Sequence, residues 1–396
     1  MTRALIIGGG VAGTITAIAL HEAGHEPLLF EAYDRGAEGV GAFLTLAVNG
    51  LEALAPLGLK DVVRGLGFDS PRMSIALSNG TRLAELTGGA LPDGTVSRTV
   101  LRSDLYVALR EEAARRGIRI EYGKRLIGAS QPGTHVRADF ADGSHTDGDL
   151  LIGADGLRSR VRTIIDPDAP APRYVPLLNT GGFAEGLDLP DEPGVLHMVF
   201  GKRVFFCHVV SSDGRVWWFA NPPRKTEPTA SELATLAGEK LRAELLQLVA
   251  RDRTPATEII RATREIYPAW PTYDFPTVPV WHRGRMVIIG DAAHATSPAA
   301  GQGASMAIED AVTLGKCLRD VPDVERALTA YERLRRERVE AVVAAGKRNG
   351  EQKVIGPVGR VVRDFFIKRA FAKPFEEDPN AFMWNHRIDW DEKVAA

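Results

Sequence analysis

Met286-Val287-Ile288-Ile289-Gly290-Asp291-Ala292-Ala293-His294, running on through Pro298, Gly301-Gln302-Gly303-Ala304 and Glu309-Asp310, is the stretch whose reading decides the fold. The apolar run 286–289 has the length of a buried strand, 290–302 is a glycine-rich turn, and 303–318 has helical spacing. A short β-branched strand running into Gly-Asp is how a parallel strand ends beside a ligand. The helix that follows aims unpaired N–H groups and the positive end of its dipole back at that point. Gly301 and Gly303 remove the side chains that would hold a ligand off the backbone. Asp291 is placed to accept hydrogen bonds from the hydroxyls of a sugar or sugar alcohol. Taken alone, it would serve equally as the cap of an ordinary helix.

The chain starts with the same grammar. Ala4-Leu5-Ile6-Ile7 is a buried strand, Gly8-Gly9-Gly10-Val11-Ala12-Gly13 a turn, 15–22 a helix closed by Gly24, and Pro27-Leu28-Leu29-Phe30 a second strand ending at Glu31. This is the dinucleotide fingerprint in its required setting. Gly8 makes the tight turn, Gly10 admits a pyrophosphate to the backbone, and Gly13 lets helix and strand pack closely; Glu31 is set for ribose hydroxyls. Arg35 is either an adenine-side contact or a solvated cation. The fingerprint does not choose between FAD and NAD. A third segment, 149–152, is a strand leading into Gly153-Ala154-Asp155-Gly156 and a basic helix, Leu157 to Arg162.

The order and spacing of these three segments resemble the single-component FAD-dependent monooxygenases of the aromatic-hydroxylase type. The resemblance covers nearly the whole chain. It implies that Gly290 and Asp291 hold the flavin ribityl chain, with Pro298, Gly301, Gln302, Gly303 and Ala304 around the isoalloxazine. It places Asp155 and Gly156 near the pyrophosphate, and it gives Arg102 and Leu126 contacts to FAD, with His294 structural. Because no second dinucleotide fingerprint is visible, NADH or NADPH is expected as a transient co-substrate. The family's chemistry is addition of O2 to reduced flavin at C4a, followed by delivery of one oxygen atom to an aromatic or polyketide-like small molecule, in hydroxylation or epoxidation. Backbone N–H groups at 301–303 would stabilise the reduced, anionic flavin. The cofactor carries the hard step, so no hydrolytic triad or paired carboxylates are needed, and the sequence shows no metal-ligand spacing.

The pattern predicts an α/β protein: a Rossmann-like FAD-binding domain (1–70, 98–172 and 276–345) interleaved with an antiparallel-sheet substrate domain (71–97 and 173–275), and C-terminal helices with a tail (346–396). Asn79-Gly80 between two alternating runs is a hairpin signal. In 204–210, Val204, Phe206, His208 and Val210 alternate with Phe205, Cys207 and Val209. Both faces are apolar, so the sheet is covered on both sides, and Phe206, His208 and Trp218 become candidate substrate contacts. Residues 102–116 are expected as a helix capped by Ser103, 231–251 as a helix, 259–266 as a strand, and 323–346 as a long helix. The stretch 355–371 is a basic amphipathic helix expected to dock on the protein's own body rather than on a membrane. The aromatic tail through Trp384 and Trp390 is expected to pack.

Composition bounds the rest. The 396 residues are enough for two interlocked domains. A net charge of −2 leaves no nucleic-acid or membrane footprint, and no apolar run reaches the roughly 20 residues that span a bilayer. Two well-separated cysteines, Cys207 and Cys317, fit a reducing cytoplasm. Three other readings carry their own tests. A non-catalytic ligand-binding protein on the same scaffold, like the GDP dissociation inhibitors, would be colourless. A flavin halogenase would need halide, and its Trp-x-Trp-x-Ile-Pro signature is not matched by Trp217-Trp218-Phe219-Ala220-Asn221-Pro222. A plain NAD-dependent dehydrogenase would leave the second and third turns without a task.

Overall fold

In the computed structural model, which describes residues 1–34, 42–275, 277–351, 357–370 and 380–395, the deciding stretch forms the strand Met286–Ile288. It pairs in parallel with Leu150–Gly153, that strand with Arg3–Ile7, then Glu26–Phe30, then Arg119–Glu121; His282–Arg283 closes one edge antiparallel. The register sets Ile7 beside Gly153 and Gly153 beside Ile288. All three glycine-bearing turns therefore leave the sheet side by side at the carboxyl ends of neighbouring parallel strands, where open α/β sheets hold their ligands. The helices Val11–Glu22 and Gly303–Asp320 cover this sheet and press together so closely that a Cβ on Gly315 would lie 2.9 Å from that of Ala19.

The second sheet has eight strands. The order runs Thr263–Ile266, Arg173–Ala184, Val216–Asn221, Phe205–Val210, Val195–Phe200, Arg72–Leu77, Arg82–Thr87, with Trp270–Asp274 also on Arg173–Ala184. Pairing is antiparallel except between Val195–Phe200 and Arg72–Leu77. Its two faces belong to two separate apolar clusters, as the period-2 pattern demands. Phe206, Val210 and Trp218 join Leu241, Leu245, Ile259 and Ile260 of the covering helices Gly238–Val249 and Ala256–Ala262. Phe205, Cys207, Val209 and Trp217 instead join Phe68, with Phe43 and Leu101 packed alongside. Those last three residues lie on a small sheet, Phe43–Leu46, Arg98–Leu101 and Phe68–Asp69, that bridges the two large ones.

Four expectations need correction. Ser103 does not cap its helix: Arg102–Arg115 starts after Leu101 without a side-chain cap, and Ser103 Oγ bonds its neighbour Asp104. The span 231–251 is two helices, Ala230–Thr235 and Gly238–Val249, broken where Gly238 takes a positive φ. Residues 259–262 are helical, and the strand begins at Thr263, because Ile259 and Ile260 pack fully buried on the neighbouring helix. Among the described side chains of the helix Pro357–Ala370, the expected docking residues Val362, Phe365 and Phe366 are 50%, 61% and 61% exposed, and Ile367 is buried instead. The tail does pack, with Trp384 buried and Arg319 stacked 4.7 Å over Trp390. Arg35 lies outside the described residues.

Candidate active site

Seven glycines of the three turns divide into two kinds. Gly8 and Gly13 are packed: a Cβ on Gly8 would meet Ala154 O at 2.3 Å, and one on Gly13 would meet Gly8 O at 1.9 Å. Gly290 has φ +58° and faces Ala12 at 3.1 Å. By contrast, among the described residues a Cβ on Gly10, Gly156 or Gly301 would find nothing within 4 Å, and one on Gly303 only Thr296 at 3.9 Å. The first set shapes the turns; the second lines open space along all three of them. That space is what an extended dinucleotide needs against bare backbone, so the residues present fit FAD.

The polar groups around this space are fixed from behind. Glu31 accepts from the N–H groups of Gly9 (2.9 Å) and Tyr33 (3.1 Å), while Arg110 donates to Gly9 O. Val11 and Ala12 open the helix behind the turn. Asp155 is tied to its own helix: Ser159 Oγ donates at 2.5 Å, Arg160 N at 2.7 Å and Val161 N at 3.1 Å. Burial pushes its carboxyl up, although those donors favour the charge. Leu126 buries its side chain in the core and pairs with Phe140, leaving backbone as its only offering. Arg102 donates to Tyr106 Oη at 2.7 Å and lies within electrostatic reach of Asp291. Asp291 itself is exposed and accepts no hydrogen bond from a described residue. A carboxylate with free lone pairs at the mouth of the turn suits sugar hydroxyls better than it suits a cap.

Behind Asp291 and the 301–303 turn lies a buried ionic network. Asp310 accepts from Gly290 N (2.9 Å), His294 Nε2 (2.5 Å) and Arg335 Nε (2.8 Å). Glu309 accepts from Arg335, Arg338 and Asn49, and Asn49 also donates to Gln302 Oε1 at 3.0 Å. Glu309, Asp310 and Arg335 are at most 1% exposed. Burial works against their charges, but Arg335 and Arg338 outweigh it and hold the Glu309 carboxyl down at about 2. Gln302 therefore turns its side chain inward. The N–H groups of the first turn of Gly303–Asp320, which have no intrahelical acceptor, are left at the turn with the free end of the helix dipole. His294 is a strut of this network.

Sequence reasoning missed Asn49, Arg110, Arg335 and Arg338. Arg335 had a signal: it occupies a stripe position among Leu328, Tyr331, Val339 and Val342 of Val324–Glu351, all buried. The candidate substrate residues stand elsewhere. Phe206 stacks on Trp218 at 5.3 Å, Trp218 Nε1 donates to Thr263, and His208 stacks on His197 at 4.8 Å with Asp191 bonded to its Nε2. All three lie on the face covered by Gly238–Val249 and Ala256–Ala262, not the face that meets Phe43 and Leu101.

The family model described as "FAD binding domain" matches residues 1–346. The chain is 32% identical to the FAD-dependent urate hydroxylase of Klebsiella pneumoniae, over 87% of this chain and 89% of that protein. It is 32% identical to the aurachin C monooxygenase/isomerase of Stigmatella aurantiaca, over 97% and 95%. Among solved structures, Klebsiella pneumoniae HpxO complexed with FAD and uric acid superposes with a TM-score of 0.82 at 26% identity, covering 94% of this chain and 93% of that one. Neither the halogenase nor the non-catalytic reading gains support from these likenesses. The chain belongs to the FAD-dependent monooxygenases of the aromatic-hydroxylase type, oxidoreductases that bind FAD on the fold described above.

Proposed function

We propose that this enzyme hydroxylates a planar, electron-rich aromatic or heteroaromatic ring, held between the 301–303 turn and the Trp217 face of the second sheet. The observation that carries the reading is that face itself. Trp217 is buried with its Nε1–H lacking any acceptor among the described residues. Phe43 and Phe183 stand 5.6 and 5.1 Å from it, and Tyr267 edges Phe183 at 5.9 Å. Phe43, Phe183, Phe219 and Tyr267 are all only partly covered. Aromatic walls with one orphaned donor are the make-up of a small-molecule site for a flat ring bearing an acceptor. The strand Phe43–Leu46 then runs into Ala47 and Asn49, bonded to Ser305 and Gln302, which ties this wall to the turn.

In this reading 71–97 and 173–275 form the substrate-covering domain, and 1–70, 98–172 and 276–345 the cofactor-binding one. Glu31 serves the ribose once its hold on Gly9 is shared, Gly10 and Gly156 the pyrophosphate, and Asp291 the ribityl hydroxyls. Arg102 supplies a positive charge beside Asp291. FAD, when bound, supplies oxygen activation and transfer, with electrons from NADH or NADPH. The protein's share is to orient the ring, keep water from the aromatic wall and present the 301–303 N–H groups to negative charge on the reduced flavin. The relatives' printed substrates, urate among them, are flat rings of this kind. The test is oxidation of NADH and NADPH by the purified yellow protein across a panel of hydroxybenzoates, hydroxypyridines, purines and hydroxyquinolines. Incorporation of one 18O atom from 18O2 into a product bears the proposal out; accelerated oxidation that yields only peroxide and unaltered compound in every case sinks it.

A further inference from the structure

On the face of the second sheet remote from the proposed substrate wall, two histidines and a carboxylate sit together, beside Ser74 and Glu85 of the adjoining strands and at the edge of the apolar cluster around Trp218. His197 and His208 are directly paired across neighbouring strands, 8% and 2% exposed, with rings 4.8 Å apart and 13° from parallel. Asp191, on the loop leading into Val195–Phe200, reaches over both. Its Oδ2 lies 2.9 Å from His208 Nε2 and its Oδ1 3.5 Å from His197 Nε2. His197 Nε2 and His208 Nδ1 are buried without a hydrogen-bond partner among the described residues. The three residues bring one donor atom each within 4.8 Å of one another. We propose that Asp191, His197 and His208 form a binding site for one divalent first-row transition-metal ion, of the zinc class, that clasps the 191 loop to the sheet.

The donor set fits that chemistry. Two imidazoles and a carboxylate suit zinc and its neighbours and not calcium or magnesium, which want oxygen. In a four-coordinate site with bonds of about 2.1 Å, donors lie roughly 3.4 Å apart; the two oxygens of Asp191 stand 2.9 Å from one histidine and 3.5 Å from the other, and the set of one donor per residue closes from within 4.8 Å. An ion there takes the place of the proton between His208 and Asp191, gives the unpaired His197 nitrogen a partner, and keeps one position for water. Nearly parallel rings must tilt about their Cβ–Cγ bonds to converge. The charged neighbours Arg82 and Glu85 are bonded to each other. The site is invisible to sequence spacing because only the strand pairing brings the residues together.

The FAD-loaded enzyme, stripped with chelator and dialysed against micromolar Zn2+, should retain about one zinc per chain by mass spectrometry and melt at a higher temperature than the stripped form. H197A and D191N should each lose the zinc and the thermal gain while keeping the wild-type ratio of flavin to protein. Zinc retained by both variants, or absent from the wild type, overturns the assignment. Should either variant fail to fold, wild-type crystals soaked in Zn2+ decide the matter. An anomalous peak between the three side chains supports the site, and its absence there overturns it.

Discussion

Gly10 and Gly13 stand three residues apart in one turn and answer to different constraints. Gly10 has φ −77° and ψ −168°, open to any residue, and only empty space where a side chain would go. The flavin-free variant Gly10→Leu should therefore melt within a degree or two of flavin-free wild type, since side chains added to open surface change stability by roughly 0.5 kcal/mol or less. It should nevertheless purify colourless. Gly13→Ala drives a methyl into Gly8 O and should cost about 1–3 kcal/mol of stability. Thermal melts together with the flavin absorbance ratio separate the two cases; a yellow Gly10→Leu protein would remove the cradle from the account. Asp291→Ala deletes charge-assisted acceptors worth about 1.5–3 kcal/mol, so FAD should bind roughly ten- to a hundredfold more weakly in a chain with unchanged circular dichroism. Flavin titration at wild-type affinity would count against that role. At this scale the sequence was informative, because a glycine or a lone acid at a strand end has few reasons to be there. Asp155 shows the limit: its carboxylate is spent on capping its own helix, a bond that no spacing distinguishes from a ligand contact.

The elements Gly303–Asp320 and Val324–Glu351 are joined by Arg335, whose guanidinium is shared between Glu309 and Asp310 at 2.6 and 2.8 Å with 1% exposure. Removing one partner of a buried pair strands the other charges and costs about 3–5 kcal/mol. Arg335→Met should lower the melting temperature sharply. It should also loosen the 301–303 turn through Asn49 and Gln302, so that flavin leaves below the main unfolding transition; a single coincident transition at the wild-type temperature would refute this. The same network predicts acid behaviour. The Glu309 carboxyl is depressed from 4.5 to about 2 on folding, so its stabilising contribution is complete above pH 4.5 and is lost as the pH falls toward 2. Melting temperature against pH should fall through that window in wild type and more gently in Glu309→Gln, which begins from a lower plateau. Elements with one strong period were legible: Val195–Phe200 and Gly303–Asp320 start where alternation and helical spacing place them. The run 259–266 was not, because Ile259-Ile260 followed by Ile266 carries β-branched content that tertiary packing overrides, turning the first half into a helix over the sheet.

Seen whole, the molecule sets its two large sheets around a small bridging one, and its second sheet has two apolar faces with different employers. Period-2 alternation revealed that both faces are covered, but alternation is symmetric. Nothing in 204–221 says which side meets the flavin-binding sheet and which meets Gly238–Val249. That assignment depends on long-range contacts, Phe43 and Phe68 with Trp217 at 5.6 and 5.0 Å on one side and Ile259 with the Trp218 cluster on the other. Adjacent tryptophans thus receive opposite roles, and substitution separates them. Trp217→Phe keeps the wall but deletes the orphaned N–H. If that donor serves the substrate, a lost hydrogen bond worth about 0.5–1.5 kcal/mol should raise KM roughly two- to twelvefold, with flavin content and melting temperature held. Phe206→Ala empties a fully packed site and should cost about 3–5 kcal/mol of stability. Its KM should stay at the wild-type value measured below the melting range, because the sheet itself stands between that ring and the wall. Steady-state kinetics with the compound that best couples NAD(P)H oxidation to product read both variants at once. A raised KM in Phe206→Ala beside an unaltered Trp217→Phe would reverse the two faces, and the substrate wall would then have to be sought among Phe206, His208 and Trp218 after all.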